Sequence, residues 1–170
     1  MIPGHPDGAP LGSAPPPRYL ILTLGELHLL LPQHQVYALE PAFDVAYPAG
    51  EDLGRIQVDG MGWPVCCLSE ELRPVREIPA SRHVCVLLHV NAGLFGVLCD
   101  QVSLADGAGG SDVLPLPECM RTLHTRLRGL VLQEEQVLCV TSVEDLLACA
   151  SVRLSSDGPD SEEAVPRTVP

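Results

Sequence analysis

Lysine is absent from this chain of 170 residues, so ten arginines carry all of its formal positive side-chain charge. They stand against 22 acidic residues, and the net charge is −12 at pH 7. A negative field of this size repels polyanions, which argues against nucleic acid as a partner. Anionic membrane surfaces are disfavoured for the same reason. We therefore expect partners that are proteins or neutral ligands.

Aromatic residues are also scarce, at 4% of the chain, although hydrophobic residues make up 46%. Valine, leucine and cysteine must therefore fill most of the core. No apolar run reaches the length of about 18 residues that a membrane-spanning helix needs. Residues 1–10 have neither the basic nor the apolar region of a signal peptide. The sequence thus predicts neither direct membrane insertion nor secretion.

The seven cysteines are an odd number, and they include no Cys-x-x-Cys pair. Most of them lie inside apolar runs, where a free cysteine packs as a small hydrophobic side chain. This pattern favours a protein of the reducing cytoplasm over a disulfide framework.

The stretch from His83 to Leu104 is the centre of the predicted fold. Apolar residues fill both alternate positions from Val84 to Leu88 and again from Leu94 to Leu98, with Asn91-Ala92-Gly93 between them. Two such runs around a three-residue loop that ends in glycine are typical of a β-hairpin. Because both faces are apolar, we expect the hairpin to be buried on both and central. A buried helix is the alternative, but the Asn-Ala-Gly break leaves each run too short for one.

Similar hairpin patterns lie on both sides of this stretch. Asp59-Gly60 is a turn signal between two apolar runs, and Pro64 in the second run predicts an edge strand or a bulge. Ser69 and Ser142 are predicted N-caps of short helices, with Asp145 completing a capping-box pattern. The other predicted elements are strands at Tyr19–Leu24, Leu27–Leu31, Val36–Leu39, Ile56–Val58, Trp63–Leu68, Gly129–Leu132 and Val137–Thr141, a helical turn at 33–35, and a short helix from Pro117 to about His124.

The order of these elements indicates an internal repeat. Each half of the chain has two hairpins followed by a capped helical turn, and Gln35-Val36 matches Gln101-Val102. Identity between the halves is slight, and any β-meander shows some likeness of this kind. The predicted fold class is all-β with short helices, formed by two intimately packed five-stranded SH3-like β-barrel subdomains.

The two ends of the chain differ from its body in composition. Residues 1–17 contain six prolines and three glycines, and residues 152–170 are polar and acidic. Neither segment has enough apolar side chains to offset the entropy lost on ordering. We therefore predict a disordered proline-rich arm, a folded domain of two barrel halves at 18–151, and a disordered acidic tail.

From Arg18 to Ala150 the residues resemble the CheW family, the coupling proteins of bacterial chemotaxis arrays. The order and spacing of several short motifs together carry this resemblance. Leu24-Gly25 and Val36 to Leu39 stand at the family's first turn and at its Val-x-x-Ile segment. Further matches are Gly54, Gly60, Pro64 and Leu68 in the Gly-x-x-Asn-Leu-Arg-Gly-x-x-x-Pro stretch, Phe95-Gly96-Val97, Asp100 and Val102 in the Val-Gly-x-x-Val-Asp-x-Val signature, then Pro115 to Glu118, Gly129, and Ser142 to Leu147.

The resemblance implies a non-catalytic adaptor. Such a protein holds the regulatory domain of a CheA-type histidine kinase beside the cytoplasmic tip of a chemoreceptor, or serves a pilus-linked sensory system. The resemblance also implies an apolar groove between the halves, in which the receptor tip docks. The alternative is that the same residues pack the interface between the two barrels. The residues concerned are Val36, Leu39, Trp63, Val84 and Gly96.

The chain departs from the family pattern at three positions. The family's Arg falls on Asp59, its Asn on Gln57, and its Asp on Cys67. The resemblance implies that receptor and kinase contacts lie near these positions, in the segment that Gly54 begins. We therefore expect a specialised or accessory coupling protein. The predicted partner-binding residues are Val36, Leu39, Gly54, Asp59, Trp63, Val84 and Gly96.

No motif in the sequence predicts a metal, cofactor or catalytic site. Cys66 and Cys67 are neighbours on a strand and point to opposite faces, so they cannot readily share one tetrahedral metal ion. His83 and His89 flank one strand and are roughly 20 Å apart by strand rise, too far to bind one ion. We expect these side chains to be structural.

A different class of function uses other residues. The rival hypothesis is a small β-barrel enzyme or ligand-binding protein that uses Cys99, Asp100 or His89. An enzyme requires a cavity where polar titratable groups converge, and an adaptor does not. The position of these three residues in the structure therefore discriminates between the two hypotheses.

Overall fold

The computed structural model describes residues 12, 15–91, 93–108, 112–121 and 126–154, with only the backbone of 151–154. Most of the predicted arm at 1–17 and tail at 152–170 lies outside these residues, as do Ala92 and residues 122–125. The strands are β1 (Tyr19–Leu24), β2 (Leu27–Pro32), β3 (Val36–Pro41), β4 (Gly54–Val58), β5 (Met61–Cys67), β6 (Val84–Val90), β7 (Gly93–Cys99), β8 (Gln101–Ala105), β9 (Gly129–Gln133) and β10 (Gln136–Val140); the helix α1 is Val143–Leu154, and short 3-10 turns span Gln33–Gln35, Ala42–Asp44 and Glu118–Met120.

The described strands form two curled, five-stranded sheets, which confirms the predicted fold class. One sheet has the order β8-β1-β2-β10-β9, and we call it the terminal barrel because it joins both ends of the folded chain. The other has the order β3-β6-β7-β5-β4, and we call it the central barrel. Strands β2 and β10 pair in parallel, as do β5 and β7, and the other neighbours are antiparallel.

The barrels do not coincide with the two halves of the sequence. Hairpin β1–β2 lies in the terminal barrel, but the next strand, β3, crosses to pair with β6. Hairpin β6–β7 lies in the central barrel, and β8 crosses back to pair with β1. The repeat is therefore visible in the strand order, while each barrel takes strands from both halves.

Short bridges close both barrels at matching places. In the central barrel, Ala46 and Arg55 exchange backbone hydrogen bonds of 2.8 and 2.7 Å. In the terminal barrel, Leu114 and Leu130 do the same at 2.8 and 2.9 Å. Each bridge joins the segment after a crossing strand to the first strand of the next hairpin along the chain. The internal repeat thus extends to the way in which each barrel is closed.

A buried glycine precedes the bridge partner in each barrel. A Cβ atom on Gly54 would lie 2.6 Å from Cγ1 of Val45, and one on Gly129 would lie 2.8 Å from the carbonyl oxygen of Leu114. Both separations are well below van der Waals contact, so a side chain at either position would force the closing segment away. The two glycines therefore permit the barrels to close.

Buried apolar side chains form three clusters, one inside each barrel and a larger one between the barrels. On β6, Cys85 and Leu87 face the inside of the central barrel, whereas Val86 and Leu88 face the other barrel. This alternation confirms the prediction that the central hairpin is buried on both faces. Helix α1 adds Leu146 to the cluster between the barrels.

The central hairpin differs from the prediction in its turn. Strand β6 pairs with β7 as far as Val90 and Gly93, so the turn has two residues rather than three. Strand β8 is missing from the predicted strands. Its Gln101, Ser103 and Leu104 are exposed and only Ala105 is buried, although polar and apolar residues alternate from Gln101 to Leu104.

Two predictions near the end of β5 are corrected. Pro64 lies in β5, which has neighbours on both sides and is not an edge strand. The ladder to β7 begins only at Val65, so Pro64 is paired on one side. Ser69 starts a turn and not a helix, and its Oγ accepts hydrogen bonds from the backbone N–H groups of Glu71 and Arg73.

The N-cap of α1 is confirmed. The Oγ of Ser142 accepts a hydrogen bond of 3.2 Å from the backbone N–H of Asp145 and donates one of 2.9 Å to its Oδ2. Arg128 donates to the same carboxylate oxygen at 2.6 Å. The helix continues to Leu154, beyond the predicted end of the folded domain at residue 151.

Candidate partner-binding surface

The outer face of β3 carries exposed side chains. Tyr37 is 44% exposed and Leu39 is 50% exposed. The residues of β3 alternate between half-buried and exposed because successive side chains point to opposite faces and only one face covers the core. A register shift between Val36 and Ala38 leaves Tyr37 outside the ladder to β6.

Tyr37 connects β3 to two neighbouring elements. Its hydroxyl donates a hydrogen bond of 3.1 Å to Oδ2 of Asp59 in the β4–β5 turn. Its ring meets the imidazole of His89 on β6 edge-on, with centroids 5.3 Å apart and planes at 90°. Met61, next to the same turn, is 57% exposed. We call Tyr37, Leu39, Asp59, Met61 and His89 the β3 face.

Asp59 and Gly60 form the predicted turn between β4 and β5. Both have positive φ angles, 52° and 77°, as the central residues of a type I′ turn require. The side chain of Asp59 is exposed, and the hydroxyl of Tyr37 holds one of its two oxygens. A short hairpin and a tyrosine thus keep this carboxylate in place at the surface.

The surroundings of Tyr37 are negatively charged. The hydrogen bond to Asp59, followed by the charge of that residue, raises the pKa of Tyr37 above its ordinary value. Burial and the charge of Glu40 contribute in the same direction. Tyr37 therefore stays neutral and keeps its proton as a hydrogen-bond donor at physiological pH.

Val36 and Val84 are half-buried and pack against the cluster between the barrels. Val36 pairs with Leu88 near the end of β6, whereas Val84 begins that strand opposite Pro41. They therefore lie near opposite ends of the β3–β6 pair. This packing agrees with the alternative that these residues fill the interface between the two barrels. Their contact with a partner stays a prediction.

Trp63 has a contact within its own barrel. It is half-buried on β5 and packs against the core of the central barrel. The six-membered part of its ring lies over Gly93, where it occupies the space that a Cβ atom would take. Trp63 thus covers the tip of the β6–β7 hairpin, and its place in a partner groove stays a prediction.

Gly54 and Gly96 are buried, and their contact with a partner stays a prediction. A Cβ atom on Gly96 would lie 2.7 Å from Cγ2 of Val65 and 2.9 Å from Sγ of Cys85. Gly54 lies beneath the bridge that closes the central barrel. The chain's own side chains fill the space beside both glycines, so these residues shape the barrel.

The whole fold has a counterpart among solved structures. It is similar to the crystal structure of scaffolding protein TtCheW from Thermoanaerobacter tengcongensis, with a TM-score of 0.56 at 16% sequence identity. The match covers 74% of this chain and 88% of that one. The chain has a CheW-like fold. No family model and no curated protein matches the sequence, so the resemblance found in its motifs is confirmed at the level of the fold.

In this CheW-like fold, Asp100 secures the crossing from β7 to β8. Its Oδ2 accepts a hydrogen bond of 2.7 Å from the backbone N–H of Gly25, and its Oδ1 accepts hydrogen bonds from Ser81 and Arg82. Arg82 also donates to the carbonyl of Leu68 at 3.0 Å. Burial alone would raise the pKa of Asp100, but these donors lower it below its ordinary value. Both oxygens are thus engaged in structural contacts.

The CheW-like fold does not bring together the three residues of the enzyme hypothesis. Cys99 pairs with Val84 at the start of β6, and burial raises the pKa of its thiol to about 12. His89 lies near the other end of β6, roughly 17 Å further along by strand rise. Asp100 is held by its own hydrogen bonds. These groups therefore do not form a nucleophile with an acid and a base.

The cysteine pair on β5 has the predicted orientation. Cys66 belongs to the cluster between the barrels, and Cys67 to the inside of the central barrel. Among the described residues, no group of three or more His, Cys, Asp or Glu side chains is placed to hold a metal ion. Over the same residues, none of the helices has the length and apolar character needed to cross a bilayer.

Two open cavities of about 240 Å³ each lie beside the central barrel and share Tyr47 in their linings. Their arginines are already paired with acids, Arg82 with Asp100 and Arg76 with Asp52. None of the three residues of the enzyme hypothesis lines either cavity. These cavities therefore give that hypothesis no support.

The sequence predicted Leu39 and Asp59 of the β3 face as partner-binding residues, but not Tyr37, Met61 or His89. Of these three, Tyr37 has a signal in the sequence. It stands in the predicted strand Val36–Leu39, where alternation places it opposite the side that Val36 buries. An aromatic ring with a polar tip on the exposed side of a strand is a signal of an interaction surface. Its hydrogen bond to Asp59 has no signature in the sequence, because the two residues meet only through the packing of the barrel.

Proposed function

We propose that this protein is a non-catalytic adaptor of a bacterial chemosensory complex in the cytoplasm. In this role it couples a CheA-type histidine kinase to a chemoreceptor tip, or to an analogous pilus-linked sensory system. The observation that carries the proposal is the similarity of the fold to that of a scaffolding protein over 74% of the chain. Two packed barrels give one small protein separate surfaces for separate partners.

The β3 face is the proposed contact for the regulatory domain of the kinase. Tyr37 and Leu39 supply exposed apolar area on an edge strand, and Asp59 supplies a polar rim at a hairpin tip. An apolar centre with a polar rim is the usual composition of a protein interface. Such a face suits a folded domain better than a small ligand.

The receptor contact is assigned to the junction between the barrels. Val36, Val84 and Trp63 are partly exposed and are the proposed lining of a groove for a helical hairpin. Coupling follows if the active and inactive states of the kinase bind these surfaces with different affinities. No chemical step is required of the protein, and no cofactor is assigned to it.

Binding to a purified kinase regulatory domain, measured by titration calorimetry, tests this proposal. We expect Leu39→Arg to weaken binding by at least about tenfold, because it places a charge at the centre of the apolar face. Leu104→Arg is the matched control. Leu104 is 62% exposed on β8, the corresponding crossing strand of the terminal barrel, so this variant should bind normally.

Two results would count against the proposal. The first is failure of the wild-type chain to bind the CheA-type regulatory domains and receptor tips encoded in the same genome. The second is equal loss of binding in Leu39→Arg and Leu104→Arg, with unchanged melting temperatures, which would remove the assignment of the kinase contact to the β3 face.

A further inference from the structure

We infer that the β3 face binds a partner surface that presents an arginine or lysine side chain among apolar side chains. The inference rests on the proposed function and gives the chemistry of one of its docking surfaces. It is carried by the juxtaposition of a carboxylate, Asp59, held by the hydroxyl of Tyr37, with exposed apolar side chains beside it.

The carboxylate of Asp59 is positioned before any partner arrives. The type I′ turn fixes its backbone, and the 3.1 Å hydrogen bond from Tyr37 fixes Oδ2. None of the hydrogen bonds in the described part of the chain involves its other oxygen, Oδ1. A cationic side chain can therefore bind there without first ordering the acid, which favours affinity.

Among the described residues, Asp59 has no cationic partner. The ion pairs among the described residues use other acids, and neither Asp59 nor Glu40 takes part in one. The sequence has no lysine to add. His89 is the basic side chain of the face, and its ring meets that of Tyr37 at right angles. The five ion pairs join Arg55 with Glu51, Arg73 with Glu71, Arg76 with Asp52, Arg82 with Asp100, and Arg128 with Asp145.

The apolar members of the face suit the stem of a basic side chain. Tyr37, Leu39 and Met61 are each between 44% and 57% exposed. An arginine or lysine can lay its methylene groups on such side chains while its charged head reaches a carboxylate. An arginine can also place its guanidinium on the ring of Tyr37. The face thus offers a contact for both parts of one cationic side chain.

A second copy of this chain is a poorer occupant. Each of the two copies would carry a net charge of −12, and repulsion between like charges opposes their association. A partner with a basic patch has the complementary charge, which accelerates association and selects against acidic surfaces. We therefore assign the face to a different protein and not to self-association.

Charge variants at the hairpin tip test the inference against the kinase regulatory domain. We expect Asp59→Asn to weaken binding by about fivefold and Asp59→Arg by on the order of 100-fold, with a smaller salt dependence in both. Tyr37→Phe should weaken binding by about threefold, because the carboxylate is no longer held. Glu134→Arg is the matched control, since Glu134 is exposed, has a φ of 55°, and lies in the corresponding turn of the terminal barrel. It should bind like the wild type.

The outcomes separate this inference from the proposed function. If the kinase domain binds all the Asp59 variants equally, or binds Asp59→Arg more tightly, the inference is wrong while the adaptor role stands. If the wild type binds no kinase domain, the proposed function fails, and the peptides acetyl-Leu-Arg-Leu-amide and acetyl-Leu-Glu-Leu-amide become the probes. Nuclear magnetic resonance shifts at Tyr37, Asp59 and Met61 with the arginine peptide alone would support the inference. Equal shifts with both peptides, or none, would overturn it.

Discussion

The carboxylate of Asp100 accepts a hydrogen bond of 2.7 Å from the backbone N–H of Gly25, a residue 75 positions earlier in the chain. Gly25 lies in the β1–β2 turn of the terminal barrel, and Asp100 directly follows β7 of the central barrel. The backbone N–H of Asp100 also donates to the carbonyl of Thr23 at 2.8 Å. One residue at the crossing between barrels thus joins both of them.

Asp100 also balances a buried cation, and this gives a prediction for stability. The side chain of Arg82 is only 3% exposed. We expect Asp100→Asn to lower the free energy of unfolding by about 1.5 to 3 kcal/mol, because Arg82 loses a charged partner in a buried position. Urea denaturation followed by circular dichroism measures the change. Asp112→Asn, at an exposed acid, is the control and should change stability by less than about 0.5 kcal/mol. Similar losses in both variants would contradict the role of Asp100.

The same carboxylate predicts a pH dependence with a definite sign. The pKa of Asp100 is lowered in the folded protein, while in the unfolded chain it is about 3.9. Its contribution to stability is therefore fully present above pH about 4 and is lost as the pH falls through the lower folded value. The stability difference between the wild type and Asp100→Asn should shrink when urea titrations are run below pH about 4. A difference that stays constant down to the lowest pH at which the protein folds would contradict the lowered pKa.

Local patterns in the sequence predicted the elements of the fold well. The two-faced apolar runs of β6 and β7 left little choice but a buried hairpin, and Ser142 with Asp145 marked the start of α1. The partition of strands between barrels was not predictable in the same way. An apolar alternation predicts that β3 has one buried side, but it does not indicate which sheet the strand belongs to. The crossing of β3 and β8 is set by contacts between distant parts of the chain.

The candidate surface was only partly predictable for a related reason. Leu39 and Asp59 lie at exposed positions of the β3 face, as a partner contact requires. Gly54 and Gly96 are predicted partner-binding residues through the family resemblance, but a glycine that admits a partner and one that admits a neighbouring side chain look alike in sequence. The structure shows the side chains of Val65 and Cys85 beside Gly96, a contact that the sequence does not reveal.

The packing at Gly96 gives a further prediction. Gly96→Ala should lower the free energy of unfolding by about 1 to 3 kcal/mol, because the new Cβ atom overlaps with Val65 and Cys85 inside the barrel. Gly62→Ala on β5 is the control. Its nearest neighbour would be the flexible amide end of Gln57, 3.1 Å away, which can move aside. Thermal and urea unfolding of the two variants compare these positions. Equal stability would mean that Gly96 is not needed for packing.

The cysteines give a prediction that tests the fold by chemistry. Cys119 is exposed, and the other six cysteines are buried. Burial raises the pKa of Cys85 and Cys99 to about 12, so these thiols form little of the reactive thiolate at neutral pH. We expect one thiol to react rapidly with an aromatic disulfide reagent in the native protein, and all seven to react after unfolding in guanidinium. Cys119→Ser should abolish the rapid phase and leave the slow reaction of the buried thiols unchanged. A second thiol that reacts as fast as Cys119 in the native wild type would contradict the buried positions of the other six.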